Sequence, residues 1–299
     1  MAHYLAEDEL EAMDYVRSLL AYLPSHCGEE APSYSYTASA EDEEAATSVG
    51  NIVPSDSRQP YDMVEVVEVL VDHGEFVEVQ ANFAQSILVG FACINGQTIG
   101  IVADQPMVNA GTLDVDASEK AARFVRCCDA FGIPVVTLVD VPGYRPGTDQ
   151  EQAGIIRRGA KLIFAYANAT VPVITITLRK AYGGAYIVMG SKGIGADFTY
   201  AWPEAELAVM GADGAVQILN RREIKAAGDT PEEQAAKAKQ LADEYAAENI
   251  NPNLSVSSGE LDGIIDPANT RQAIAEALHV MKTKNKDFLG HKRHSNGPL

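Results

Sequence analysis

An α/β fold with a parallel sheet and helical crossovers is predicted by three features of the sequence. The runs IPVVTLVDV at 133–141 and VPVITITL at 171–178 are strongly apolar, interrupted only by Thr, Pro and one Asp. Strands of that kind are covered on both faces, as in parallel sheets with crossover helices. Helix-length amphipathic stretches at 117–131 and about 150–168 precede the two runs, so the period switches repeatedly between strand and helix.

The elements follow in order. Residues 8–22 place Leu10, Met13, Val16, Leu19 and Leu20 on one helical stripe that needs something to pack on. From Ser25 to Pro60 the pattern dissolves into Glu, Ser, Ala, Pro and Gly, including Glu41-Asp42-Glu43-Glu44. That stretch reads as a poorly structured acidic linker, which divides the chain into residues 1–60 and a globular part, 61–299. Asp62, with Glu65 three residues on, opens a helix ending near Gly74. The runs SILVGFACI and TIGIVAD flank Asn95-Gly96, a strong hairpin signal. Beyond 178 come a Gly-rich turn, a short helix, apolar runs around Tyr200 and Leu207, and a helix from about Ala212. Helices near 231–248 and 269–284 precede a basic tail, HKRHSNGPL. No internal repeat of twenty to fifty residues is visible.

Composition bounds the function. Of 299 residues 46% are hydrophobic and 22% charged, enough for a sizeable core and too apolar for general disorder. The formal net charge of −19 repels phosphate backbones, so nucleic acid is not an expected partner. No run of eighteen apolar residues suggests a membrane span, and the first residues do not read as a signal peptide. Cys27, Cys93, Cys127 and Cys128 lack CxxC spacing, so neither a zinc ribbon nor a disulfide framework is expected, and the cytoplasm is the expected address.

Nucleophile machinery is hard to build. The histidines are His3, His26, His73, His279, His291 and His294, and none lies between 74 and 278, where the parallel strands fall. A Ser-His-Asp triad or Cys-His pair at a strand end is therefore not expected. HExxH and GxxxxGK[ST] are absent, and Gly193 and Gly195 alone do not make a dinucleotide fingerprint.

Two segments leave the ends of the buried runs, where open α/β sheets place ligands. One is VDVPGYRPGTDQEQAGIIRRGAK, 139–161; the other is LRKAYGGAYIVMG, 178–190. In the second, Gly183-Gly184-Ala185 opens a helix whose first amides lack internal acceptors and carry the positive end of the dipole. Paired amides of that sort stabilise an oxyanion without an ionisable side chain. Taken alone, tight packing at a helix start accounts for the same glycines more readily. Trp202 reads as core. Lys180 reads equally as a steering cation or the partner of a structural acid, and Asp140 and Glu151 read as structural acceptors.

The segments QPYDM, ADQPMVNAGTLDVDASEKAARFVRCCDAFGIPVV, VDVPGYRPGTDQEQAGIIRRGAKLIFAYANATVPVITITLRKAYGGAYIVMGSK and AWPEAELAVMGADGAV carry a resemblance. From about Pro60 onward the chain resembles the carboxyl-terminal half of an acyl-CoA carboxylase β subunit, the carboxyltransferase of propionyl-CoA and related biotin-dependent carboxylases. The resemblance implies a crotonase-like fold and a biotin site in this half. It implies that the amides of Gly184 and Ala185 bind the ureido oxygen of carboxybiotin carried on a partner protein. Gly183 would shape the turn, and Pro142, Gly143 and Tyr144 would line the facing wall. No metal is implied. Ile187 would border the acyl group, and because related subunits often carry Asp there, a relaxed enzyme using acetyl-CoA and propionyl-CoA is expected. Expected partners are the amino-terminal half, a biotin carboxylase and biotin-carrier subunit, and further copies in a trimer or dimer of trimers. The alternatives are a biotin-dependent decarboxylase or transcarboxylase subunit, and a non-catalytic scaffold that recruits a biotin carrier.

Overall fold

The computed structural model describes residues 2–228 and 230–284. Among these residues eight strands form one sheet: β1 (Val77–Glu78), β2 (Ile87–Ile94), β3 (Gln97–Asp104), β4 (Val135–Val141), β5 (Val173–Tyr182), β6 (Phe198–Ala201), β7 (Glu206–Ala208) and β8 (Gly263–Ile264). The order is β1-β2-β3-β4-β5-β6-β8, with β7 pairing the last residues of β5. β1, β2 and β3 pair antiparallel, and every pairing from β3 onward is parallel.

Twelve helices surround it among the same residues: α1 (Glu9–Ala21), α2 (Ala40–Thr47), α3 (Met63–Leu70), α4 (Val115–Ala130), α5 (Thr148–Ala153), α6 (Ile155–Asn168), α7 (Gly183–Val188), α8 (Ala212–Leu219), α9 (Arg221–Ala226), α10 (Pro231–Asn249), α11 (Pro252–Ser257) and α12 (Thr270–Val280). α4, α6 and α7 bury one face of the sheet around Val102, Val139, Phe124 and Leu162. α3 and α12 bury the other around Ile99, Val136, Ile176 and Leu278. Both faces are covered, as the uninterrupted apolar strands require.

The hairpin expected at Asn95-Gly96 forms, with both residues at positive φ (50° and 74°). Glycine is obligatory there, since a Cβ at Gly96 would lie 1.8 Å from the Tyr34 carbonyl oxygen. The Asp72 carboxylate accepts the amides of Asn95 and Gly96 and pairs with Arg271 at 2.6 Å, joining the hairpin to α12.

Four expectations need correction. Residues 25–60 are not a structureless linker. α2 starts with a complete capping box between Ser39 and Asp42, Ala46 and Val49 are buried, and Ser33 bridges Gln97. The acidic run that suggested disorder fills the first turn of α2, where the helix dipole favours it. α1 forms as expected, but its stripe finds no cover: Leu10, Met13, Val16 and Leu20 are exposed, and only Leu19 reaches the core. α3 ends at Leu70, followed by a 3-10 turn at 72–74, and Asp62 caps Val64 alone while also accepting from Gln105. The helix expected at 150–168 breaks at Gly154, which adopts φ +82° between α5 and α6. The tail at 291–299 lies outside the described residues.

Lys120 shows how α4 is fastened. Its side chain is buried, and its ammonium donates 2.8 Å hydrogen bonds to the carbonyls of Phe83 and Ile87, with Glu78 4.0 Å away. Burial outweighs Glu78 and pulls its pKa down to about 8. Between pH 8 and the ordinary lysine range the unfolded chain keeps a proton that the folded chain has released, so this group makes stability rise with pH across that window. Denaturant titrations of wild type and Lys120→Met from pH 7 to 10 should show the rise in wild type only; parallel pH profiles would refute the assignment.

Candidate functional site

The parallel strands end at the two segments singled out in the sequence. After β4 the chain turns through Pro142, Gly143 and Tyr144. Gly143 sits at φ +145°, in the region that favours glycine. The loop is pinned to residue 113: Leu113 donates to the Gly143 carbonyl (3.1 Å), and the Arg145 amide donates to the Leu113 carbonyl (2.7 Å). Tyr144 is thereby held half-buried against α6, where a Cβ at Gly159 would lie 3.1 Å from its hydroxyl. Burial pushes the phenol up to about 12, so it stays protonated at neutral pH.

After β5 the chain enters α7 at Gly183, whose φ of +59° and closeness to the Val209 carbonyl (3.0 Å from a built Cβ) both favour glycine. Tyr182 is the N-cap residue and no side chain caps the helix. The first amides of α7 therefore lack both an internal acceptor and a cap. Gly184 is exposed, Ala185 is buried, and a Cβ built on Gly184 would lie 3.9 Å from the Tyr144 ring. The two predicted segments thus meet, with the Tyr144 ring against the Gly184 turn. Ile187 is 47% exposed and contributes nothing to the core of its own helix.

Other residues settle into structural roles. Lys180 is buried, donating to the Ser57 carbonyl (2.9 Å) and lying 3.7 Å from Asp140, which is the structural alternative of its two readings. Trp202 is core, its indole donating to Thr270. Asp140 is fully buried and accepts from Arg179 Nε (2.9 Å) and the Lys180 amide (3.2 Å). Glu151 is exposed, and its carboxylate makes no hydrogen bond among the described residues, so it is not the structural acceptor expected.

Sequence reasoning missed three features. Arg179 donates to the carbonyls of Pro54, Asp56 and Gln59, holding residues 54–59 over the strand ends. The Tyr182 hydroxyl donates to Glu206 beside the turn, on the wall of a cavity of about 880 Å³ that Lys180, Gly211, Ala246 and Asn251 also line. Asp104 closes β3 beneath Asp140, accepting the Asp140 amide at 3.1 Å with one oxygen while the other is buried without a partner. A charged residue closing each apolar run was the available signal for Asp104 and Arg179; nothing in the sequence paired Tyr182 with Glu206.

Burial, with Asp140 nearby, holds the Asp104 carboxyl well above the usual carboxylate range, so it keeps its proton when the unfolded chain has lost it. This group therefore makes stability fall as pH rises past about 4. Asp104→Asn should flatten the decline in unfolding free energy between pH 5 and 8. A variant as pH-dependent as wild type would show that Asp104 is ionised.

The carboxyl transferase domain model matches residues 1–296. The chain is 52% identical over its whole length to the propionyl-CoA carboxylase beta chain of Saccharopolyspora erythraea, covering 56% of that protein. It is 46% identical to the methylmalonyl-CoA carboxyltransferase 12S subunit of Propionibacterium freudenreichii subsp. shermanii, with 99% of this chain and 55% of that one aligned. A crystal structure of a transcarboxylase 12S hexamer core with methylmalonyl-coenzyme A bound superposes with a TM-score of 0.90 at 44% identity, over 99% of this chain and 56% of that one. The chain spans about half the length of the curated relatives it matches. The crotonase-like fold expected from the sequence is the one found.

Proposed function

This chain belongs to the carboxyl transferase domain family, and from that premise we propose that it is the biotin-site half of an acyl-CoA carboxyltransferase. It would move a carboxyl group between carboxybiotin on a partner protein and the α-carbon of a short acyl-CoA. The observation that carries the reading is the start of α7: an uncapped pair of amides at Gly184 and Ala185, with Gly184 open to solvent and the Tyr144 ring beside it. The absent Cβ at Gly184 leaves room for a planar ring to approach the backbone, so the residues present fit a biotin ureido group. Biotin supplies the carboxyl group and the base. The chain supplies the two amides, which hold the ureido oxygen and favour negative charge there. Gly183 sets the turn, and Pro142, Gly143 and Tyr144 form the wall against which the ring is positioned. These steps need no histidine, in keeping with the empty span between His73 and His279.

The reading also accounts for the exposed apolar surface. Val209, beside the turn, and Ile156, at the start of α6, are each 81% exposed, and the α1 stripe is uncovered. Surfaces of this kind are interaction sites, and a missing half and further copies would cover them. By the resemblance, the CoA site would lie in that other half, with the acyl group reaching the junction between halves where Ile187 faces it. A second reading has support of its own: relatives include a methylmalonyl-CoA carboxyltransferase and, at 43% identity, a methylmalonyl-CoA decarboxylase alpha subunit from Propionigenium modestum. Assays with different carboxyl donors separate these directions.

Four outcomes test the proposal. Ala185→Pro removes one amide within the first turn, where proline is best tolerated. In enzyme completed with an amino-terminal half it should lower kcat by roughly 10²–10³-fold; near-normal turnover in a folded variant would leave only the scaffold reading. The chain alone should form no malonyl-CoA or methylmalonyl-CoA, and light scattering should find it self-associated at micromolar concentration; robust product, or a stable monomer, would count against the arrangement. Ile187→Asp should change the ratio of kcat/KM for acetyl-CoA and propionyl-CoA, by no more than about 10–200-fold for one methylene, whereas an unaltered ratio would remove Ile187 from the acyl pocket.

A further inference from the structure

A second cavity, of about 630 Å³, lies at the other end of the sheet from the α7 turn. It opens between the end of α1, residues 34–36 and the β2–β3 hairpin, and its volume is in the range of small-molecule sites. Its walls are unusually aromatic: Tyr22, Tyr34, Tyr36 and Phe76 all contribute, with His73 at the edge of the Tyr36 ring. Aromatic faces attract cations, and this wall already holds one, the Arg271 guanidinium 5.2 Å from the Tyr36 ring centre.

Polar groups set the chemistry. Tyr36 spends its hydroxyl on Asp42, and Tyr34 donates to the Ala21 carbonyl. Tyr22 differs. It is 8% exposed, its ring stacks on Phe91, and its hydroxyl has no hydrogen-bond partner among the described residues. That hydroxyl is not sealed in the core either, since the sealed unpaired side-chain atoms are those of Tyr61, Asp104 and Thr177. The Tyr22 oxygen is thus an accessible hydrogen-bonding group on a mostly buried side chain that lines the cavity. The carboxylates of Asp72 and the exposed Glu75 line the same cavity; burial, with smaller contributions from Cys93, Glu75, Tyr34 and Asp72, pushes the Tyr22 phenol up to about 12. Asp72 is matched by Arg271 at 2.6 Å, so among the described residues the exposed Glu75 carboxylate is the anionic group left to act on an occupant of the cavity, in a chain of net charge −19.

We propose that this cavity is a binding site for a small organic ammonium ion, whose apolar body packs against Phe76 and Tyr34 while its N–H donates to the Tyr22 hydroxyl oxygen. Glu75 at the rim supplies the counter-charge. The site is separate from the proposed carboxyl-transfer chemistry and would brace α1 against the hairpin when filled.

Benzylammonium, benzyl alcohol and benzoate share one shape and differ in charge, so they are suitable probes. Isothermal titration of the full chain at pH 7 should give saturable binding of benzylammonium, about tenfold or more tighter than benzyl alcohol, with benzoate weakest. Tyr22→Phe keeps the stacked ring and removes only the oxygen; it should weaken benzylammonium about tenfold without changing the unliganded melting temperature. Glu75→Gln should narrow the gap between benzylammonium and benzyl alcohol. Equal affinity for the three probes, affinity indifferent to both substitutions, or no saturable binding at millimolar concentration would each overturn the proposal.

Discussion

The ends of three parallel strands are held by one buried carboxylate. Asp140, at the penultimate position of β4, takes the Arg179 guanidinium at 2.9 Å and the Lys180 amide at 3.2 Å from β5, while its own amide bonds to Asp104 at the end of β3. A carboxylate with no exposure is tolerable only because a charge and several donors compensate it. Arg179 passes the constraint outward, since its other nitrogen gathers three carbonyls of residues 54–59 and its guanidinium lies over the Tyr61 ring. Removing either partner would leave an uncompensated buried charge directly under the strand ends from which both site loops leave.

What stands on that platform is mostly backbone. The Gly183 turn and the Gly143 turn use positive φ values that only glycine adopts without strain, and a single tyrosine ring fills the space between them. α4 and α6 keep that ring in place from below: Glu119 on α4 bonds both Arg158 and Lys161 on α6, which holds Gly159 against Tyr144. Glu119 is drawn down to about 2 by those two cations, chiefly by the Arg158 hydrogen bonds, so the clamp persists far into acid. Chemistry assigned to backbone amides depends on such rigidity, because an amide cannot reorient without moving its helix.

Several parts of this arrangement were legible residue by residue. The hairpin was, because Asn-Gly is one of few dipeptides that accept two successive positive φ values. The parallel strands were, because burial on both faces removes the alternation that marks a half-exposed strand. The acidic stretch misled, because composition reports on average hydrophobicity while α2 is held by local capping and by two small buried contacts, Ala46 and Val49. α1 misled in the opposite sense: its periodicity foretold a helix correctly, yet periodicity is silent on whether a covering surface lies within the same chain.

By itself the sequence determined the order of elements, the turn positions, the class of chemistry excluded by its histidine spacing, and the two glycine-rich segments at strand ends. These are local properties, carried by side-chain period and backbone freedom. Only the tertiary structure decided that Lys180 serves Asp140 and Ser57, that Tyr144 meets Gly184, and that Asp104 is buried without a partner for one oxygen. The tertiary structure also left the Tyr22 hydroxyl on the wall of an aromatic cavity. Each of those depends on contacts between residues about 40 to 120 positions apart, or on the absence of one, and the pairing of parallel strands through crossover helices sets them. No local pattern records which strand end will lie beside which.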